Sequence, residues 1–228
     1  MSQYHTIAVA DLGVDARARF IFRTYAHLSA AIVGFVALEY LFFMTGFAEV
    51  LAGALLSVNW LLVLGAFMIV GWLASHTAHT TTSKPLQYLA LAGYVGAYAV
   101  IFTPLLFVAE ATAPGAIESA GLITLLGFAG LTAVAFMTRK DFSFLGSMLR
   151  WGFVAALLLI VGGVLFGFQL GTFFSVGMIA LAGAAILYDT SNVLHHFPED
   201  QHVSASLQLF GSIALMFWYV LSLFLSSE

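Results

Sequence analysis

The sequence predicts an all-α membrane protein whose chain crosses the bilayer seven times. Its 228 residues are 62% apolar and 8% charged, with a mean hydropathy of +1.03, whereas a soluble domain is about 45–50% apolar and about 25% charged. Long uncharged runs recur along the chain, and about 20 such residues in a helix span a hydrocarbon core. The basic residues fall between these runs in an alternating pattern. These observations together favour a seven-helix transmembrane bundle with short loops.

The spans are predicted where the uncharged runs reach membrane length. They are residues 24–46, 53–74, 86–108, 117–137, 147–168, 171–194 and 204–224. The first span could also be a signal peptide, because arginines precede it. However, it is about 23 residues long, beyond the roughly 7–15 of a signal core, and Glu49 precedes the Ala52-Gly53-Ala54 cleavage pattern. We expect a retained helix, with residues 1–23 as a tail and residues 24–225 as a single seven-helix domain.

The fifth and sixth spans are separated by a length argument. Residues 151–188 carry no charge over 38 residues. As one continuous helix this run would extend about 57 Å, whereas the hydrocarbon core is about 30 Å thick. The run must therefore cross twice, and the sequence GFQLG at residues 167–171 is the natural turn.

The basic residues support an odd number of crossings. With seven spans, all seven lie on the same side as the N-terminus: Arg17, Arg19, Arg23, Lys84, Arg139, Lys140 and Arg150. The other side holds Glu49, Glu110, Glu118 and Glu228 and no basic residue. The positive-inside rule then predicts a cytoplasmic N-terminus and a C-terminus on the opposite side of the membrane.

Several functional classes lack the residues they need. A net charge of −4 with seven Lys and Arg argues against nucleic-acid binding, and the absence of cysteine excludes thiolate chemistry. No span holds a lysine for a retinal Schiff base or a G-x-S-x-G nucleophile. The last span offers Ser212 but no acid that could pair with Asp189 as in an aspartyl protease. We predict a protein that is not an enzyme and needs no cofactor, with Ca²⁺ or H⁺ as the ion it could conduct or sense.

Two acidic residues, Glu39 and Asp189, fall within predicted spans. A carboxylate at mid-bilayer costs about 2.5–3.5 kcal/mol even on the lenient insertion scale, so each requires an explanation. For Glu39, near the outer end of its span, we expect the side chain to snorkel to the interface. Asp189 lies about 9 Å from the inner end of its span, at about the same depth as Ser212 in the last span, with Gln208 one turn nearer the cytoplasm as a second donor. Asp189 is then either a hydrogen-bonded packing residue or a proton or cation site.

All seven histidines lie on the predicted cytoplasmic side. Because histidine titrates near neutral pH, His76, His79, His195 and His196 are candidate pH-sensing residues. The alternative is that they are ordinary interfacial side chains. A metal site formed by the same four histidines is allowed by their number, but their spacing matches no recognised ligand pattern.

Three stretches resemble the Bax inhibitor-1 family of seven-span membrane proteins. They are TRKDFSFLG at 138–146, ILYDTSN at 186–192 and the polar-spotted last helix at 204–224. A weaker fourth match is YAVIFTPLL at 98–106. The serine at 212 and the TSN that follows Asp189 look most like the bacterial YccA-like branch.

This resemblance implies two functions. Calcium-leak members of the family use an aspartate pair in the last two helices as a pH-dependent latch; Asp189 matches the first aspartate, and Ser212 stands at the position of the second. The YccA-like branch implies a stress-protective inner-membrane modulator of the membrane-bound AAA protease FtsH. We expect the modulator function, with a pH-sensitive calcium or cation leak that uses Asp189 as its sensor as the alternative.

Overall fold

The structure, a computed structural model, describes residues 8–81 and 83–226. In this part of the chain a short 3₁₀ helix, Val9–Asp11, precedes eight α-helices. They are α1 (Val14–Met44), α2 (Phe47–Leu56), α3 (Trp60–Thr80), α4 (Lys84–Thr112), α5 (Ala116–Thr138), α6 (Leu145–Phe166), α7 (Gly171–His195) and α8 (His202–Leu225). All except α2 are long and apolar enough to cross a membrane. The predicted all-α fold with seven transmembrane helices is therefore confirmed.

The predicted second span, residues 53–74, is wrong at both ends. Residues 53–56 belong to the short helix α2, and the membrane-length helix is α3, Trp60–Thr80. Asn59 starts α3, because its side-chain oxygen accepts a hydrogen bond from the backbone N–H of Leu61 at 2.9 Å. Both helices are apolar, so composition does not mark the break between them. The first helix also begins earlier than residue 24, at Val14.

The turn predicted within residues 167–171 is confirmed. Helix α6 ends at Phe166 and α7 begins at Gly171. Gly167 has φ +74° and Gly171 has φ +63°, values in the left-handed region that favours glycine. The two glycines thus let the chain reverse between two membrane-length helices.

Polar contacts join distant parts of the chain at one end of the bundle, which we call the basic end. These contacts join Val9 to Phe197, Arg17 to Leu194, His79 to Gln201, Lys84 to Asp200 and Phe142 to Ser191. They bring together the starts of α1, α4 and α8, the ends of α3 and α7, and the α5–α6 connection. This is the arrangement that seven alternating crossings require. That the basic end faces the cytoplasm stays a prediction.

Helix α8 forms the centre of the bundle. It packs against α1, α3, α4, α5 and α7, whereas α6 packs only against α3 and α7 among the described helices. The outer surface is apolar, with side chains such as Phe22, Leu62, Leu126 and Leu158 more than half exposed. In a bilayer these side chains face lipid. The central position of α8 places its polar residues inside the bundle.

Candidate polar site between α7 and α8

Three polar side chains meet between α7 and α8 within the membrane-spanning part of the bundle. Asp189 lies in the second half of α7, and Gln208 and Ser212 lie one turn apart in α8. Residues four apart share one face of a helix, so both α8 side chains can face the same residue of α7. The connection between the two helices is short, which places these residues at similar depth.

Asp189 accepts one hydrogen bond on each carboxyl oxygen. The Gln208 amide Nε2 donates to Oδ1 at 2.6 Å, and the Ser212 hydroxyl donates to Oδ2 at 2.5 Å. Asp189 is only 3% exposed. Since both partners supply hydrogens and neither accepts one, the arrangement suits an ionised carboxylate. A buried negative charge also needs a compensating positive charge nearby.

A cavity of about 320 Å³ opens beside Asp189. Gln208, Ser212 and residues of α6, among them Arg150 and Phe153, line it. Arg150 brings a permanent positive charge to the same cavity as the Asp189 carboxyl group. The cavity can therefore hold water or a cation next to the carboxylate, or admit the guanidinium group.

A second cavity, of about 540 Å³, adjoins the first and shares Phe153, Gln208 and Ser212 with it. It is lined by Ser75 and His79 of α3, by Tyr94 and Tyr98 of α4 and by α8. The side chains that bond Asp189 therefore also border a second polar space.

Tyr94 and Tyr98 add a hydroxyl pair that the sequence interpretation missed. Their Oη atoms are 3.2 Å apart, and a Cβ added at Gly211 would lie 2.6 Å from the Tyr94 Oη. Glycine at position 211 thus lets the Tyr94 hydroxyl approach α8. Two tyrosines four residues apart in an apolar span are the signal that could have identified the pair, because they share one helix face.

The four candidate histidines have different surroundings. The exposed ring of His76 stacks on Trp72 at a centroid distance of 5.3 Å. The Nδ1 atoms of His79 and His195 lie 2.8 and 2.9 Å from carbonyl oxygens four residues earlier in their own helices. His196 Nε2 lies 2.9 Å from Oδ2 of Asp141. Across residues 8–81 and 83–226, no group of three or more His, Asp or Glu residues could hold a metal ion.

The contact between His196 and Asp141 lies at the basic end, outside the spanning helices. The Ser143 backbone N–H donates to Oδ1 of Asp141 at 2.8 Å. That hydrogen bond and the neighbouring His196 lower the pKa of Asp141 below its ordinary value. The Ser191 hydroxyl accepts a hydrogen bond from the Phe142 backbone N–H at 2.8 Å. The α5–α6 connection is thereby attached to the end of α7. A pH-sensing role for the four histidines stays a prediction.

The expectation that Glu39 snorkels to the interface is wrong. Its side chain is only 6% exposed and contacts the Thr103 hydroxyl of α4 at 3.3 Å. The outward positions nearby in α1 carry Tyr40 and Leu41, which are more than half exposed. Glu39 therefore lies on the face of α1 that packs against the bundle, and its carboxyl group cannot follow the lipid-facing surface to the interface.

Comparisons with known proteins agree with this architecture. The family model described as "Inhibitor of apoptosis-promoting Bax1" matches residues 17–228. Over 111 residues the chain is 36% identical to the uncharacterized protein PA2604 of Pseudomonas aeruginosa. This alignment covers 47% of the chain and 49% of PA2604. Over 147 residues it is 30% identical to the "Modulator of FtsH protease YccA" of Escherichia coli K12, covering 64% of this chain and 67% of YccA.

The same identity and coverage hold for the "Inner membrane protein YccA" of Escherichia coli O6:H1. That name and the seven apolar helices confirm the prediction of a multi-pass protein in a bacterial inner membrane. The alignment with PA2604 spans about half of that relative's length.

Proposed function

The chain belongs to the Bax inhibitor-1 family, and from this premise we propose that it is a non-enzymatic, YccA-type modulator of a membrane-bound AAA protease of the FtsH kind. The observation that carries the proposal is the 30% identity to a protein named as a modulator of FtsH, over 67% of that protein's length. In this role the protein restrains the degradation of membrane proteins during stress.

The N-terminal segment supports the proposal, because it is attached to the end of α7 and to the connection between α7 and α8. The Val9 backbone N–H donates to the Phe197 carbonyl oxygen at 2.9 Å, and Arg17 Nη2 donates to the Leu194 carbonyl oxygen at 3.0 Å. Val9 is fully buried. A protease that pulls on the chain before Val9 would therefore pull on the connection between α7 and α8.

The experiment tests the segment ahead of α1. Deletion of residues 2–13 leaves every described α-helix intact but removes Val9, whereas a deletion reaching residue 23 would also remove the buried Phe20. We expect the 2–13 deletion to shorten the lifetime of a membrane-bound protease substrate and to reduce co-purification with the protease. Asp189→Asn, which keeps the segment, serves as the matched control. Unchanged lifetime and unchanged co-purification in the deletion variant would refute the modulator function.

The second candidate function is a pH-sensitive calcium or cation leak with Asp189 as its sensor. The observation that favours it is a row of three cavities. A cavity of about 610 Å³ is lined by residues that include Trp60 and Ser226. It shares Tyr98 and Leu215 with the cavity of about 540 Å³. The latter shares Gln208 and Ser212 with the cavity beside Asp189. The row runs along α8 from the end opposite the basic end.

Flux measurements test the leak. The full chain is reconstituted in liposomes that contain a calcium indicator, and the internal and external pH are varied separately. If the leak exists, calcium enters faster than in empty liposomes and Asp189→Asn removes the pH response. Flux equal to that of empty liposomes, or a pH response unchanged by Asp189→Asn, would refute the leak.

A further inference from the structure

Glu39 is the second acidic side chain buried within the bundle, and it is bonded differently from Asp189. Its Oε2 atom lies 3.3 Å from the Thr103 Oγ1 atom of α4. Its Oε1 atom has no hydrogen-bond partner among the described residues. Asp189 has a donor on each oxygen, whereas Glu39 has at most one contact for its whole carboxyl group.

In this contact the Thr103 hydroxyl does not act as the hydrogen-bond donor to Glu39. The Thr103 hydroxyl also lies 2.8 Å from the Ala99 carbonyl oxygen, and a hydroxyl group has one hydrogen to donate. The shorter of the two contacts is with the Ala99 carbonyl oxygen, and threonine in a helix commonly donates to the carbonyl four residues earlier. The Thr103 Oγ1 then has lone pairs to offer but no hydrogen, so the contact is a hydrogen bond only if the Glu39 carboxyl group donates.

No charge compensates Glu39 within the part of the chain that the structure describes. Its carboxyl group forms no ion pair, and Thr103 is its one hydrogen-bonding neighbour among the described residues. The acidic and basic side chains of the helices packed against α1 lie elsewhere. Glu49 and Glu110 are exposed, Asp189 is bonded to Gln208 and Ser212, and the others lie at the basic end: Lys84, His195 and His202. The tyrosines of these helices are neutral at physiological pH and supply no counter-charge. An ionised carboxylate would thus be buried without a donor or a counter-charge, which proteins avoid.

We propose that Glu39 is a proton-binding site, a neutral carboxylic acid whose O–H donates to Thr103 Oγ1. A metal cation does not fit, because Ca²⁺ takes about 6–8 oxygen ligands and the side chains here offer only the Glu39 and Thr103 oxygens. If α1 and α4 separate so that water reaches the carboxyl group, the O–H bond breaks, the proton passes to a water molecule and the carboxylate remains. The site is distinct from Asp189, and the inference does not rest on the protease-modulator function.

Infrared spectroscopy of the full chain in lipid nanodiscs at neutral pH tests this inference. A protonated carboxyl group gives a C=O band separate from the carboxylate bands, and the band shifts when H₂O is replaced by D₂O. We expect the wild-type protein to show this band, Glu39→Gln to lose it and Asp189→Asn to keep it. The absence of the band in the wild-type protein, or its persistence in Glu39→Gln, would overturn the proposal.

Two further measurements keep the test independent of whether Glu39→Gln folds. Thr103→Val removes the acceptor with little change in shape, so the band should remain but change frequency; an unmoved band would contradict the proposed hydrogen bond. A hydrophobic carbodiimide, which reacts with protonated carboxyl groups, should modify Glu39 in the wild-type protein and spare the exposed Glu49 and Glu118, as mapped by peptide mass spectrometry. Modification that spares Glu39 would also overturn the proposal.

Discussion

Replacing Ser212 by alanine removes one of the two donors to Asp189 and is expected to lower the free energy of unfolding. The Ser212 hydroxyl lies 2.5 Å from Oδ2 of a carboxyl group that is 3% exposed. Hydrogen bonds to charged groups contribute about 1.5–3 kcal/mol, whereas interhelical hydrogen bonds in membrane proteins average about 0.6 kcal/mol. If Asp189 is ionised, we expect Ser212→Ala to cost about 2 kcal/mol, above the average for a membrane hydrogen bond.

The assay is a double-mutant cycle measured by reversible unfolding in mixed micelles. In the Asp189→Asn background the acceptor is a neutral amide, so the cost of Ser212→Ala should fall to about 0.6 kcal/mol. Ser206→Ala is the matched control, because Ser206 is fully buried but its hydroxyl donates to the Val203 carbonyl oxygen within its own helix. An equal cost of Ser212→Ala in both backgrounds would refute the reasoning that the two donors hold a carboxylate.

Three other predictions concern packing, capping and pH. Gly211→Ala puts a Cβ 2.6 Å from the Tyr94 Oη and should lower the free energy of unfolding by about 1–3 kcal/mol. Gly177→Ala is the control, because its Cβ meets nothing within 4 Å. Equal free energies of unfolding for the two variants would contradict this packing argument. Asn59→Ala removes the cap of α3 and should cost about 1 kcal/mol in the same assay, and no loss would contradict the capping role. Because the pKa of Asp141 is lowered in the folded protein, its ionised form stabilises the fold at pH values above the ordinary pKa of 3.8, and this stabilisation is lost as pH falls through the lower folded pKa. Asp141→Asn should therefore flatten the acidic part of a plot of unfolding temperature against pH. An unchanged plot would show that the contacts of Asp141 do not contribute.

The sequence predicted what depends on the length and charge of each segment. The uncharged run of residues 151–188 had to turn, and the turn occurs at Gly167 and Gly171. The depth of Asp189 along α7 identified Ser212 and Gln208 as neighbours, because two helices joined by a short connection must run side by side. Length and depth are properties of one helix at a time, so they can be obtained without knowledge of packing.

The rest depends on which way each helix faces. The run of residues 47–74 is apolar almost throughout, so the break that makes α2 a separate helix rests on the cap at Asn59. The hydroxyl pair of Tyr94 and Tyr98 faces the polar site only because α4 turns that side toward Gly211. When most positions on all sides of a helix are apolar, the sequence does not show which side is buried.

Glu39 and Asp189 show why the state of a buried acid depends on where neighbouring hydroxyl hydrogens go. Both acids are buried in transmembrane helices, and both contact a hydroxyl group of a neighbouring helix. The Ser212 hydrogen goes to the carboxyl group of Asp189, whereas the Thr103 hydrogen goes to the carbonyl of its own helix. A serine or threonine can do either, so the presence of a hydroxyl group near an acid does not decide its charge. On this argument, a partner that moved the Thr103 hydrogen toward Glu39 would favour the ionised form, and one that broke the Ser212 contact would favour a protonated Asp189.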